Sequence, residues 1–212
     1  DDFERTQQEC RKLLAERPDK LTNLVFGLNL LERAKILSVG ESQLPNVYRF
    51  LANPEMHAIL EAVEKRSLDS YFASGRPEVN RLTQGAATDQ QDPETELHCD
   101  IFFNTHKVWL YLTDVEIKDG PFVYVKRSHR LTLNQFRHIY NESRRQNIGS
   151  RRISLDEFQR AGLQETIVTC TKNTLVIANT YGYHRRLCGQ SGGKREAIHI
   201  HLRVNPFTYQ PE

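Results

Sequence analysis

Apolar side chains recur along this chain at two different periods, and the change of period divides it. Over residues 2–17, Phe3, Cys10, Leu13 and Leu14 fall on one helical face ahead of Pro18. Leu21, Leu24, Val25, Leu28 and Leu31 continue the spacing, which predicts a second packing helix directly after the first. Asn53-Pro54 forms a helix start, with Asn as N-cap and Pro in the first turn. Met56, Ile59, Leu60 and Val63 give that helix the stripe with which to cover one face of a β core. From about Arg81 the period moves towards two. Residues 96–103 and 108–112 read as neighbouring strands, and 174–178 as a strand leading into Tyr181-Gly-Tyr-His184. After the glycine turn of 189–193, residues 197–204 alternate cleanly. The polar stretch 88–95, with Pro93, reads as a loop placed to act as a lid. A long connection, 131–163, carries helical patterns at 133–144 and 154–161, the second opened by a capping box of Ser154 and Glu157. Connections this long in a compact domain are usually functional or disordered.

Composition narrows the class. The 212 residues suffice for one domain with a sizeable core, and 38% hydrophobic with 26% charged residues is ordinary for a globular protein. A formal charge of +2 is too small for general nucleic-acid binding, and no nucleic-acid partner is expected. The four cysteines, Cys10, Cys99, Cys170 and Cys188, lack both zinc-type spacing and the density of a secreted scaffold, so free thiols are expected. No apolar run approaches the roughly 20 residues that span a bilayer, and no signal peptide precedes the first helix, so a cytoplasmic location without a membrane partner is expected. Oligomeric state leaves no mark in the sequence.

Candidate chemistry begins at His98-Cys99-Asp100. Alternate side chains of a strand share a face, so His98 and Asp100 can grip one ion while Cys99 points away. His-x-Asp alone is weak, since a chain of this composition yields roughly 0.4 such triplets by chance. Its position at the head of a strand pair gives it weight, as do His184 at a later strand and Arg195 eleven residues further on. Two imidazoles and one carboxylate make the facial set that leaves positions open on a non-haem Fe(II). Arg195 supplies the planar fork that would hold the far carboxylate of 2-oxoglutarate. Plainer readings stand beside these. His98 and Asp100 could be a surface pair, His184 a core histidine, and Arg195 a partner of Glu196. His199 and His201 share the face of Arg195 while Ile198, Ile200, Leu202 and Val204 form the other, so they either line the interior near the site or are hydrogen-bonded core polars, and neither is assigned as a ligand. His129, after Ser128, reads as orienting a turn, and Trp109 as either core or pocket wall. Lys126, Arg127, Arg185 and Arg186 flank the strand ends that should meet at the site, either as a field for an anionic substrate or as a solvated rim.

These motifs resemble the phytanoyl-CoA dioxygenase family of Fe(II)- and 2-oxoglutarate-dependent oxygenases over roughly residues 75–205. The likeness rests on His98-x-Asp100, on Val108-Trp-Leu-Tyr-Leu-Thr-Asp-Val115 followed by Asp119-Gly-Pro-Phe-Val-Tyr-Val125 and Ser128-His129-Arg130, and on His184 with Arg195. It implies a mainly β fold with flanking helices, a double-stranded β-helix or jelly-roll barrel like that of cupins. Residues 1–74 would form a mainly helical support, and 75–205 the barrel with the insertion 131–163 as a wall over the site. It further implies His98, Asp100 and His184 as catalytic metal ligands, and Arg195, with Trp109 near it, as cosubstrate-binding residues. Fe(II), 2-oxoglutarate and O2 would be the cofactors. The implied reaction hydroxylates an unactivated C–H bond and releases succinate and CO2; the expected substrate is a small metabolite, anionic where the basic residues act as a field rather than as a solvated rim. Asp100 argues against a halogenase, whose members carry a small residue there. The chain departs from the family at Lys126-Arg127, where relatives commonly have Pro-Gly, and at Arg186, where a small hydroxyl residue is usual. A cupin-like metal protein that uses no oxo acid, and a non-catalytic jelly-roll binding module, are the competing readings.

Overall fold

A computed structural model describes residues 1–65, 76–86, 92–101, 103–130, 132–144, 151–160 and 162–202. It opens with helix α1 (Asp2–Glu16), capped by the Asp1 carboxylate, which accepts from Phe3 N at 2.7 Å. The next stretch is not the expected second helix. Residues 21–35 form a hairpin of β1 (Leu21–Phe26) and β2 (Asn29–Lys35), with Phe26 opposite Asn29. Gly27 turns it with φ 60°, a conformation glycine adopts freely and the one a Gly-first two-residue hairpin loop requires. The supposed helical stripe is not a buried face, since Val25 is 69% and Leu28 46% exposed. What is buried follows the pleat, with Leu31 and Ala34 set against Leu82 and Val79 of the next strand.

Two short helices follow, α2 (Pro45–Leu51) and α3 (Pro54–Glu64). Asn53 caps α3 as its sequence suggests, accepting from Glu55 N at 2.8 Å and Met56 N at 3.2 Å. Glu9 of α1 reaches across to α2, where its carboxylate accepts from the backbone N–H groups of Asn46 and Val47. The helices cover the outer face of a six-stranded antiparallel sheet ordered β1-β2-β3-β11-β5-β9, in which β3 is Glu78–Thr83, β5 His106–Tyr111, β9 Thr174–Asn179 and β11 Lys194–Leu202. Cys10, Leu13, Val47, Leu51 and Leu60 pack there against Val79, Val108, Ile198 and Ile200. Fully burying each such aliphatic chain contributes about 1.5–3 kcal/mol, which makes this the principal hydrophobic store of the fold.

The second sheet is antiparallel and five-stranded, β7-β4-β10-β6-β8, with β4 His98–Cys99, β6 Phe122–Val125, β7 Arg151–Arg152, β8 Glu165–Val168 and β10 His184–Arg186. The architecture is therefore two antiparallel sheets with flanking helices, resembling the double-stranded β-helix. The expected closed barrel is not seen among the described residues. The sheets meet through inward side chains, such as Trp109 against Phe122 with ring centroids 4.9 Å apart, and hydrogen bonding between strands stays within each sheet. The long connection supplies α4 (Leu133–Arg144), β7 and α5 (Leu155–Arg160). Phe158, Ile153 and Leu163 pack with Leu97, Cys99, Val125 and Tyr183 on the outer face of the small sheet, so these residues back the site rather than wall it over. Residues 88–91 of the expected lid, 203–204 of the last strand and the Glu157 side chain of the expected capping box lie outside the described residues. No helix among the described residues is long and apolar enough to cross a membrane.

Candidate active site

β4 and β10 pair in the register that sets His184 directly opposite His98, and opposite Tyr124 on its other side. Cross-strand neighbours project to the same face, and the two imidazole centroids lie 4.5 Å apart on the inner face of the small sheet. The expected strand through 96–103 is only two residues long. Asp100 lies just beyond it in a bend, tied by its N–H to Thr180 O at 3.0 Å. Asp100 nonetheless turns inward while Cys99 points out into the apolar cluster, the alternation expected of a strand. His184 Nε2 stands 3.5 Å and His98 Nε2 3.9 Å from Asp100 Oδ1, and the donor atoms of the three residues lie within 4.8 Å of one another.

The hydrogen bonds behind the rings decide what they offer. Nδ1 of His98 sits 2.7 Å from Glu96 O and Nδ1 of His184 2.9 Å from Gly182 O. A carbonyl only accepts, so each Nδ1 carries a proton, and a ring in its neutral form offers the Nε2 lone pair inward. Both Nε2 atoms are buried without a hydrogen-bond partner. Burial, then the neighbouring His184, pushes the His98 imidazolium down to about 4, leaving it neutral at neutral pH. Burial alone would raise the Asp100 carboxyl, but the contact with His184 and the Lys107 ammonium, whose Nζ is 2.7 Å from Oδ2, hold it well below the ordinary carboxylate range. Two nitrogen lone pairs and an anionic oxygen converging in a buried space call for a cation, and this donor set suits a divalent first-row metal.

Arg195 enters the same cavity of about 120 Å³ from β11, together with Trp109, His98 and His184. Its Nη1 donates to Tyr111 Oη at 3.1 Å, and its Nε is buried without a partner. It does not pair with Glu196, which points to the outer face and binds Arg81 at 2.8 Å and Arg11 at 3.3 Å. Trp109 lies between Phe122 and His199, with centroids at 4.9 and 5.5 Å. Of the expected basic rim, Arg185 forms a two-point pair with Glu165, and Arg186 is buried against Asp92 at 2.5 Å. Lys126 and Arg127 occupy the exposed turn after β6. His129 meets Tyr124 Oη at 3.3 Å, in keeping with a turn-orienting role. Sequence reasoning did not single out Lys107, Glu94, whose carboxylate is 3.8 Å from His98 Nε2, or Arg33, which lines the cavity from β2. The signal for Lys107 was present, because it precedes Trp109 by two positions on one strand and so shares its inward face.

No known protein-family profile matches the chain, and no curated protein matches its sequence. Solved structures do match its fold. The epimerase SnoN, in complex with Fe3+, α-ketoglutarate and nogalamycin RO, superposes with a TM-score of 0.62 at 14% identity over 99% of this chain and 83% of its own. AviO1 from Streptomyces viridochromogenes gives 0.57 at 12% identity, covering 99% and 87%. HygX from Streptomyces hygroscopicus, with nickel and 2-oxoglutarate bound, gives 0.57 at 16% identity, covering 98% and 79%. At these identities the likeness shows the fold alone, which this chain shares with those proteins.

Proposed function

We propose that this protein is an Fe(II)- and 2-oxoglutarate-dependent dioxygenase that hydroxylates an unactivated C–H bond of a small anionic metabolite. The observation that carries the reading is the convergence of the His98 and His184 Nε2 atoms with the Asp100 carboxylate, the two imidazoles lining one cavity with the Arg195 guanidinium. His98, Asp100 and His184 would hold the metal, and Arg195 the far carboxylate of 2-oxoglutarate. When bound, iron with 2-oxoglutarate and dioxygen supplies the oxidising power for C–H cleavage, with succinate and CO2 as coproducts. The chain's own residues position and enclose. Glu96 O and Gly182 O fix the ring tautomers, and Lys107 restrains the second oxygen of Asp100. Tyr111 steadies Arg195, and Trp109 with Phe122 forms the apolar wall that excludes water. The solved relatives with bound metal and oxo acid support the same cofactor requirement on this fold.

Anaerobic titration of the protein with Fe(II), then with 2-oxoglutarate, tests this. The expected result is a weak visible metal-to-ligand charge-transfer band that is absent in Asp100→Ala. Iron binding without the band would favour a cupin-like metal protein, and failure to bind iron would refute the assignment.

A further inference from the structure

The inner face of the large sheet carries a second polar group that neither metal nor cosubstrate uses. Arg33 on β2 is paired in register with Asn80 on β3, Asn80 is opposite Ala197 on β11, and His199 follows two residues along. Strand alternation therefore sets Arg33, Asn80 and His199 on one face, and all three line the cavity that His98 and His184 also line. Each holds a buried polar atom without a hydrogen-bond partner: Arg33 Nε, Asn80 Oδ1 and His199 Nδ1. His199 is only 8% exposed. Of the other cavity cations, Arg195 is the one assigned above to the cosubstrate, and the rest are engaged, Arg185 by Glu165, Arg186 by Asp92 and Lys107 by Asp100. Arg33 forms a loose ion pair with Glu78 at 3.8 Å, too long for a hydrogen bond, so its Nε–H stays open. Buried donors and acceptors left open cost folding free energy, and three together on a cavity wall are accounted for by a ligand that closes them.

Resting on the function proposed above, we propose that Arg33, Asn80 and His199 form the substrate subsite and take a carboxylate that bears a neighbouring hydroxyl. The guanidinium fork of Arg33 holds the carboxylate, and Asn80 Oδ1 accepts from the hydroxyl, whose oxygen lies towards His199. Glu78, cross-strand from His199 and 3.8 Å from Arg33, offsets part of the positive charge of Arg33 and Lys107, so the hydroxyl is read by Asn80 and His199 rather than by the local field. Burial, and then those cations among others, holds His199 well below its ordinary range and hence neutral. The adjoining cavity of about 340 Å³, lined by Arg33, Lys107, His199 and His201, leaves room for the remainder of the substrate.

The test uses glycolate as probe and glycolamide as its uncharged control, by anaerobic calorimetry on protein saturated with Fe(II) and 2-oxoglutarate so that Arg195 is occupied. Glycolate is expected to bind, glycolamide at least about tenfold more weakly, and Arg33→Met to weaken glycolate about tenfold or more while the 2-oxoglutarate titration midpoint stays in place. Arg33→Lys, which keeps the charge and loses the fork, substitutes if Arg33→Met fails to fold, and a twofold or smaller loss in either variant would overturn the proposal. So would the absence of binding to the unsubstituted protein up to about 50 mM glycolate, a level a fragment of this size should satisfy. If no charge-transfer band forms, the dioxygenase reading fails separately. The same titration in metal-free Arg195→Met protein, with and without Arg33→Met, then still decides the role of Arg33.

Discussion

Lowering the pH should unfold the metal-free protein through His98. In the unfolded chain an imidazole takes its proton near 6.5, whereas in the folded protein burial and the adjacent His184 hold His98 near 4. Between those values the unfolded chain binds more protons. The stability that His98 leaves intact above about pH 6.5 is therefore lost progressively as pH falls to about 4. The full gap corresponds to roughly 3 kcal/mol, and a single site titrating between these limits loses about 2 kcal/mol from about pH 7 to about pH 5. His199 acts in the same direction, so the wild-type loss exceeds that share. Urea unfolding followed by fluorescence isolates the term, because Trp109 is the only tryptophan and lies in the cavity beside the triad. His98→Leu removes the titrating ring and keeps His199, so the variant should show about 2 kcal/mol less pH dependence over that interval. Equal pH dependence in the two proteins would refute the argument that His98 is held neutral by its surroundings.

Three further outcomes are expected. Arg195→Met should raise the 2-oxoglutarate dissociation constant by on the order of 30- to 1000-fold, read from the charge-transfer titration, since a buried charge-assisted contact contributes about 2–4 kcal/mol. Tyr111→Phe, which removes the 3.1 Å acceptor of Arg195 Nη1, should raise it by about tenfold or less. Glu9→Gln should lower stability by about 1–2 kcal/mol, because the Glu9 carboxylate accepts from the first backbone N–H groups of α2. A thermal midpoint unchanged within about 1 °C would contradict that.

Legibility in the sequence followed the range of the interactions involved. The helix cap at Asn53, the inward alternation of Arg195, His199 and His201 and the outward turn of Cys99 are set by neighbours a few residues away, and a periodic pattern records them. The triad was legible because ligand chemistry restricts residue type so narrowly that His98, Asp100 and His184 stood out before their strands were paired. The same reasoning overestimated their support, since β4 is two residues long and Asp100 owes its position to the Thr180 carbonyl, a contact no local pattern encodes. Charge partners were equally hidden. Arg186 reads as rim in one dimension and is buried against Asp92, 94 residues earlier, in three.

The hairpin at 21–35 shows why the missed part of the site and the misread part of the fold coincide. Leu21, Leu24, Val25, Leu28 and Leu31 fit a helix as well as a strand pair, and only pairing with β3 decides between them. Read as a helix, this stretch would lie outside the core and its flanking charges would face solvent. Paired with β3, it extends the large sheet, and the period of two turns Leu31 and Arg33 inward while Glu32 and Ala34 face the helices. One change of period thus converts Arg33 from a surface charge into a cavity-lining one. The small sheet presents the candidate metal donors and the large sheet Arg33, Lys107 and Arg195, so the cavity's charge balance depends on a pairing between residues distant in the chain, Arg33 with Asn80 and Leu31 with Leu82.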